Sequence, residues 1–139
     1  VIVQEVIKIT LIPKHITIKV QENLPILYGN SWRFTQLFQN LIQNAINYND
    51  KEKGIIEVGF TGKEDCFEFF VKDNGVGIES KYFDKIFNVF TKLDNEGQSS
   101  GIGLSTVKKI IEFIEGKIWV ESKEKIGTTF FFSLPKNND

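Results

Sequence analysis

The chain has 139 residues, 41% hydrophobic and 25% charged, with thirteen phenylalanines, which fits one soluble globular domain around one core. A net charge of −1 gives no basis for a broad nucleic-acid surface, and no stretch reaches the roughly 20 consecutive apolar residues of a membrane helix. The single Cys66 excludes an internal disulfide, Glu5 and Lys8 break the opening apolar run that a signal peptide would need, and the lack of methionine reads as a fragment of something longer.

In chain order, residues Glu5 to Leu11 predict the end of a helix stopped near Pro13. Ile16, Ile18 and Val20 alternate with Thr17, Lys19 and Gln21, the pattern of a half-buried strand. A short strand is expected around Ile26 to Tyr28, after Pro25. Asn30 or Ser31 caps a long helix to about Asn47, with Phe34, Leu37, Phe38, Leu41 and Ala45 on one face. Lys51 to Gly54 makes a turn. Strands at Ile55 to Phe60 and Phe67 to Lys72 form a hairpin through Gly62 to Asp65. Asp73 to Gly77 cannot comfortably continue a strand and reads as a loop. Ser80 to Phe90 is expected to be helical, Thr91 to Ser100 is a polar segment, and Leu104 to Ile114 is again helical. Lys117 to Glu121 and Thr128 to Leu134 are the last two strands, around a turn at Gly127. The expected class is α+β, a two-layer sandwich with a mixed sheet of about five strands and three helices on one face.

Three features carry chemistry. Asn40, Asn44 and Asn47 stand at i, i+4 and i+7 and form a polar stripe beside the apolar face of the long helix. Such a stripe is either a helix edge that hydrogen-bonds to loops or a row of carbonyl oxygens for a hydrated hard cation, since magnesium needs few protein ligands. Asp73-x-Gly75-x-Gly77 follows a strand directly; it is either an ordinary turn or a carboxylate and close backbone aimed at a ligand amine. Ser99-Ser100-Gly101-Ile102-Gly103-Leu104 leads into a helix, where free N–H groups and the dipole suit phosphates, though an ordinary capped loop uses the same residues.

Together, in this order, the three resemble the histidine-kinase branch of the GHKL ATPases. Asn40-Leu-Ile-Gln-Asn44-Ala is similar to the N box, Asp73 to Gly77 to the first glycine box, Phe87 to Phe90 to the F box, and Gly101-Ile-Gly103-Leu104 to the second glycine box. Lys117 to Ser122 and Gly127 to Pro135 resemble the closing strands, so the likeness covers nearly the whole chain.

The resemblance implies a histidine-kinase-type ATP-binding fold over residues 1–139, with 1–12 as the tail of a linker. It implies that Asn44 binds the Mg2+ that bridges the phosphates of ATP, helped by Asn40, and that Tyr48 lies against the adenine. Asp73 would recognise the adenine amino group, with Thr128 acting through water and Gly75, Gly77 and Ile78 close by. Residues Thr91 to Ser100 would form a lid. Asn47, Lys92 and Ser100 would lie near the phosphates, with Gly101, Ile102, Gly103 and Leu104 offering backbone donors. A buried hydrogen-bond requirement of this kind can discriminate by about 10⁴, so ATP should beat GTP. Five positions depart from the family pattern. Asn47 stands where a lysine is common, Lys92 where an arginine is, and Ser99, Glu115 and Lys125 where glycines are.

Hydrolytic members of the superfamily carry a glutamate at the position of Asn40, and an asparagine cannot act as a general base. The resemblance therefore implies a protein histidine kinase that presents the γ-phosphate to a histidine on a separate dimerisation and phosphoacceptor bundle, for relay to a response regulator. His15, the only histidine, lacks the setting of an acceptor and reads as structural or surface. The implied location is cytoplasmic, the parent being membrane-anchored or not, and the isolated domain is expected to be a monomer. Two other readings are an anti-sigma-type serine kinase and a degenerate domain used as an interaction module.

Overall fold

In a computed structural model of the chain, the structure describes residues 3, 6–7, 12–25, 31–82, 86 and 101–135. Five strands run β1 (Ile16–Val20), β2 (Gly54–Gly62), β3 (Cys66–Asp73), β4 (Lys117–Lys123) and β5 (Gly127–Pro135). They form one sheet in the order β1-β2-β3-β5-β4, with β1 parallel to β2 and the other pairs antiparallel. Two α-helices, α1 (Ser31–Asn47) and α2 (Gly101–Phe113), pack on each other and on this sheet. The mixed five-stranded α+β sandwich is the expected one.

Among the described residues, the long helices on the sheet number two where three were expected. Where a helix was expected to reach Phe90, the described residues hold one 3-10 turn, Ser80–Tyr82, and the buried Ile86 in a turn. Residues 83–85 and 87–90, and the strand expected at Ile26 to Tyr28, lie outside the described residues. Of the opening helix, Val3, Val6 and Ile7 are described and helical. Helix α2 starts at Gly101, three residues before the expected Leu104, because first-turn N–H groups need no intrahelical partner and glycine there costs little.

The period-2 pleat sorts each strand into an inner and an outer row. Ile56 and Val58, Phe69 and Val71, and Phe130, Phe132 and Leu134 face the helices and are buried. Helix α1 answers with Phe34, Leu37, Phe38, Leu41 and Ile42, and α2 with Val107, Ile110 and Ile111. At the centre Phe69 and Phe132 stack at 5.3 Å, while Phe38 meets their rings edge-on at 5.8 and 5.5 Å. Burying three aromatic side chains in one place fixes how α1 crosses the sheet. It also sets the last turn of α1 beside the loop that leaves β3.

Candidate functional site: the carboxylate at the end of the sheet

Strand β3 ends in Asp73, on the inner face and directly opposite Thr128 of β5. Both are 6% exposed. The carboxyl of Asp73 accepts the N–H of Gly75 at 2.8 Å and the N–H of Thr128. Burial nevertheless pushes its pKa up from 3.8 to about 6, the two backbone donors offsetting only part of the desolvation. At neutral pH the group is mostly an anion, buried at the mouth of the sheet.

The next residue clamps the neighbouring turn. Asn74 Oδ1 accepts from Ile55 N and from Asn49 Nδ2, both at 2.8 Å, and Asn74 Nδ2 donates to the Lys53 carbonyl. Val76 N donates to the Tyr48 carbonyl at 3.0 Å, so the loop is fastened to the end of α1. A Cβ on Gly75 would collide with that same carbonyl, and one on Gly77 with the backbone of Lys123. Gly77 also has φ 75°, the left-handed region that favours glycine. These glycines were read as room for a ligand. In the structure they admit the protein's own backbone from two sides.

Of the asparagine stripe, Asn44 is buried at 8% exposure, Asn40 is half-buried, and Asn47 is exposed and accepts from Gln43 Nε2 at 3.0 Å. Asn44 is thus the most buried of the three, with the half-buried Tyr48 one turn further along toward the loop. Ile78 and Leu104 bury their side chains in the core, so what they offer a ligand is backbone. Gly101, Ile102 and Gly103 form the first turn of α2. Lys92 and Ser100 lie outside the described residues. His15 is exposed.

Ser122 was not singled out by its sequence position. It pairs with Thr128 across β4 and β5, and its Oγ lies 2.7 Å from Thr128 Oγ1. The same oxygen accepts the N–H of Ile78 at 2.7 Å and donates to the Gly127 carbonyl at 2.9 Å. The available signal was the alternation of β4, which puts Ser122 on the inner face with Ile118 and Val120.

Among the described residues no group of three or more His, Cys, Asp or Glu is placed to hold a metal. A cation here must therefore depend on amide oxygens, water and a ligand's own phosphates, which is how magnesium is commonly held. A groove of about 520 Å³ is lined by the outer-row residues Glu57, Lys72, Glu121 and Thr129 and reaches Asp73, Ser122 and Thr128 at the end of the sheet. Each outer-row residue sits one pleat step from a buried neighbour, so this groove opens on the sheet face away from the helices.

A mixed sheet covered by helices on one face, with a buried aspartate ending a central strand beside an asparagine-bearing helix, defines an ATPase-type nucleotide-binding domain. Residues 29–138 match the family described as histidine kinase-, DNA gyrase B-, and HSP90-like ATPase. The chain is 41% identical over 123 residues to cyanobacterial phytochrome B of Nostoc sp. strain PCC 7120, covering 86% of this chain and 16% of that protein. It is 37% identical over 121 residues to the methanogenesis regulatory histidine kinase FilI of Methanothrix harundinacea, covering 86% and 14%. The solved catalytic domain of histidine kinase ThkA superposes with a TM-score of 0.76 at 30% identity, covering 97% of this chain and 90% of that one. The chain belongs to the histidine kinase-, DNA gyrase B-, and HSP90-like ATPase family, as an ATP-binding domain of the sensor histidine kinase type. It spans about a sixth of the length of the curated relatives it matches.

Proposed function

We propose that this domain binds Mg-ATP between the end of α1, the loop after β3 and the start of α2. From there it presents the γ-phosphate to a histidine on a separate helical bundle of the same parent protein, for relay to a response regulator. The observation that carries the reading is the buried Asp73 carboxylate, stabilised by two backbone N–H groups. A desolvated acceptor of this kind costs stability unless a ligand donor completes it. The exocyclic amine of adenine is such a donor, and Asp73 reads it, with Thr128 beside it.

Asn44 would supply an amide oxygen for Mg2+ and Asn40 would help to position it; the metal would offset phosphate charge. Tyr48 lies against the base. The backbone of Gly101, Ile102, Gly103 and Leu104 meets the phosphates at a helix N-terminus, where N–H groups and dipole favour anions. Lys92 and Ser100 are assigned to the phosphates from the sequence resemblance alone. Asn40 cannot take a proton from water, which suits transfer to an outside nucleophile over hydrolysis.

Titration calorimetry with ATP, with and without excess magnesium, tests the metal assignment. Binding should strengthen with magnesium in the wild type and lose that dependence in Asn44→Ala. Equal magnesium dependence in both would remove Asn44 from the metal site. Transfer of labelled γ-phosphate to the histidine of an added bundle tests the kinase step. A domain that binds Mg-ATP yet labels no such histidine would contradict it.

A further inference from the structure

The three hydrogen bonds at Ser122 have a consequence for its neighbour. A serine hydroxyl has one hydrogen and two lone pairs. The Gly127 carbonyl can only accept, so it takes the Ser122 hydrogen; the N–H of Ile78 can only donate, so it takes one lone pair. All three contacts are satisfied together only if Thr128 donates its hydroxyl hydrogen to the remaining lone pair of Ser122. Thr128 Oγ1 then faces the inner side of the sheet with lone pairs alone. Asp73, directly opposite, is likewise an acceptor.

We infer that Ser122 is a positioning residue for base specificity: by holding the Thr128 hydroxyl hydrogen, it makes the Asp73–Thr128 pair acceptor-only and so selective for an amino over a keto group. The inference rests on the adenine site proposed above. An amino group or a water that it binds has hydrogens to give such a pair. The keto oxygen of guanine meets two acceptors and is repelled. Without Ser122 the Thr128 hydroxyl can turn and donate, and the site loses part of its preference.

The test is the ratio of ATP to GTP dissociation constants, measured by calorimetry on the wild type, Ser122→Ala, Ser122→Thr and Thr128→Val. The ratio should fall roughly tenfold in Ser122→Ala, the worth of one reoriented hydrogen bond. Ser122→Thr keeps the hydroxyl and should keep the wild-type ratio, which loss of general stability alone would not explain. Should Ser122→Ala fail to fold, Thr128→Val decides by the same fall in ratio. A ratio within twofold of wild type in Ser122→Ala, or in Thr128→Val, would overturn the role of Ser122 while leaving the adenine site intact. A wild type that binds no ATP would overturn that site, and the role of Ser122 with it.

Discussion

Gly77 lies against the backbone of Lys123, so close that a Cβ at Gly77 would overlap the Lys123 carbonyl oxygen. The contact joins the loop after β3 to the turn between β4 and β5. Two further bonds hold the same junction: Lys125 N donates to the Val76 carbonyl at 2.6 Å, and Lys51 Nζ donates to the Lys125 carbonyl at 3.0 Å. The loop that carries the site is therefore built into the sheet's end and does not hang free over it.

Gly77→Ala should accordingly destabilise the fold itself. A left-handed φ costs an L-residue about 1–2 kcal/mol, and overlap with rigid backbone adds about 1–3 kcal/mol. Urea unfolding should show a loss of at least about 2 kcal/mol. Gly62→Ala is the control, since a Cβ there meets nothing within 4 Å; it should be neutral or slightly stabilising. Equal effects at the two sites would contradict the junction.

The buried carboxylate makes a prediction with a definite sign. The folded pKa of Asp73 is raised from 3.8 to about 6, so between those values the folded state binds more proton than the unfolded one. Stability from this group is then fully present below about pH 3.8 and is lost as pH rises through about 6. Asp73→Asn removes the term. The wild type minus variant difference in unfolding free energy should drop by about 1–3 kcal/mol across that window, with the variant the more stable at pH 7. A flat difference would mean that Asp73 is not the desolvated anion described.

Two departures from the family pattern are testable as backbone strain. Glu115 and Lys125 stand where glycines are usual, and they adopt φ 61° and 67°. The turns keep the conformation that glycine takes freely and impose it on side chains. Lys125→Gly should raise stability by about 0.5 kcal/mol, the relief of strain exceeding the added freedom of the unfolded chain. Its backbone bonds to Val76 and Lys51 need no side chain. Thermal unfolding of Lys125→Gly and Glu115→Gly checks this, and a lower melting temperature in both would refute it.

The long elements were legible because their signals are periodic and local. The spacing of Phe34, Leu37, Phe38 and Leu41 fixed α1, and the alternation around Ile16 fixed β1. That Asp73 stands at the mouth of the sheet was readable from the strand before it. What Gly75 and Gly77 make room for was not, because Tyr48 and Lys123 come from distant parts of the chain. Ser122 was invisible for the same reason: its partners Ile78 and Thr128 arrive through the register of the sheet and the path of a loop. Glu115 and Lys125 stand where the family usually has glycine, and the turns form without it, since the surrounding hydrogen bonds outweigh about a kilocalorie of strain.

The most direct test of the central claim is thermal unfolding with Mg-ATP, with Mg-GTP and without ligand, on the wild type and on Asp73→Asn. Ligand at about 100 times its dissociation constant adds roughly 2.7 kcal/mol, a shift of several degrees for a domain of this size. A shift with ATP, little with GTP and none in Asp73→Asn is the expected result. A folded wild type that shows no shift at high ATP would contradict the nucleotide site and leave the domain as an interaction module.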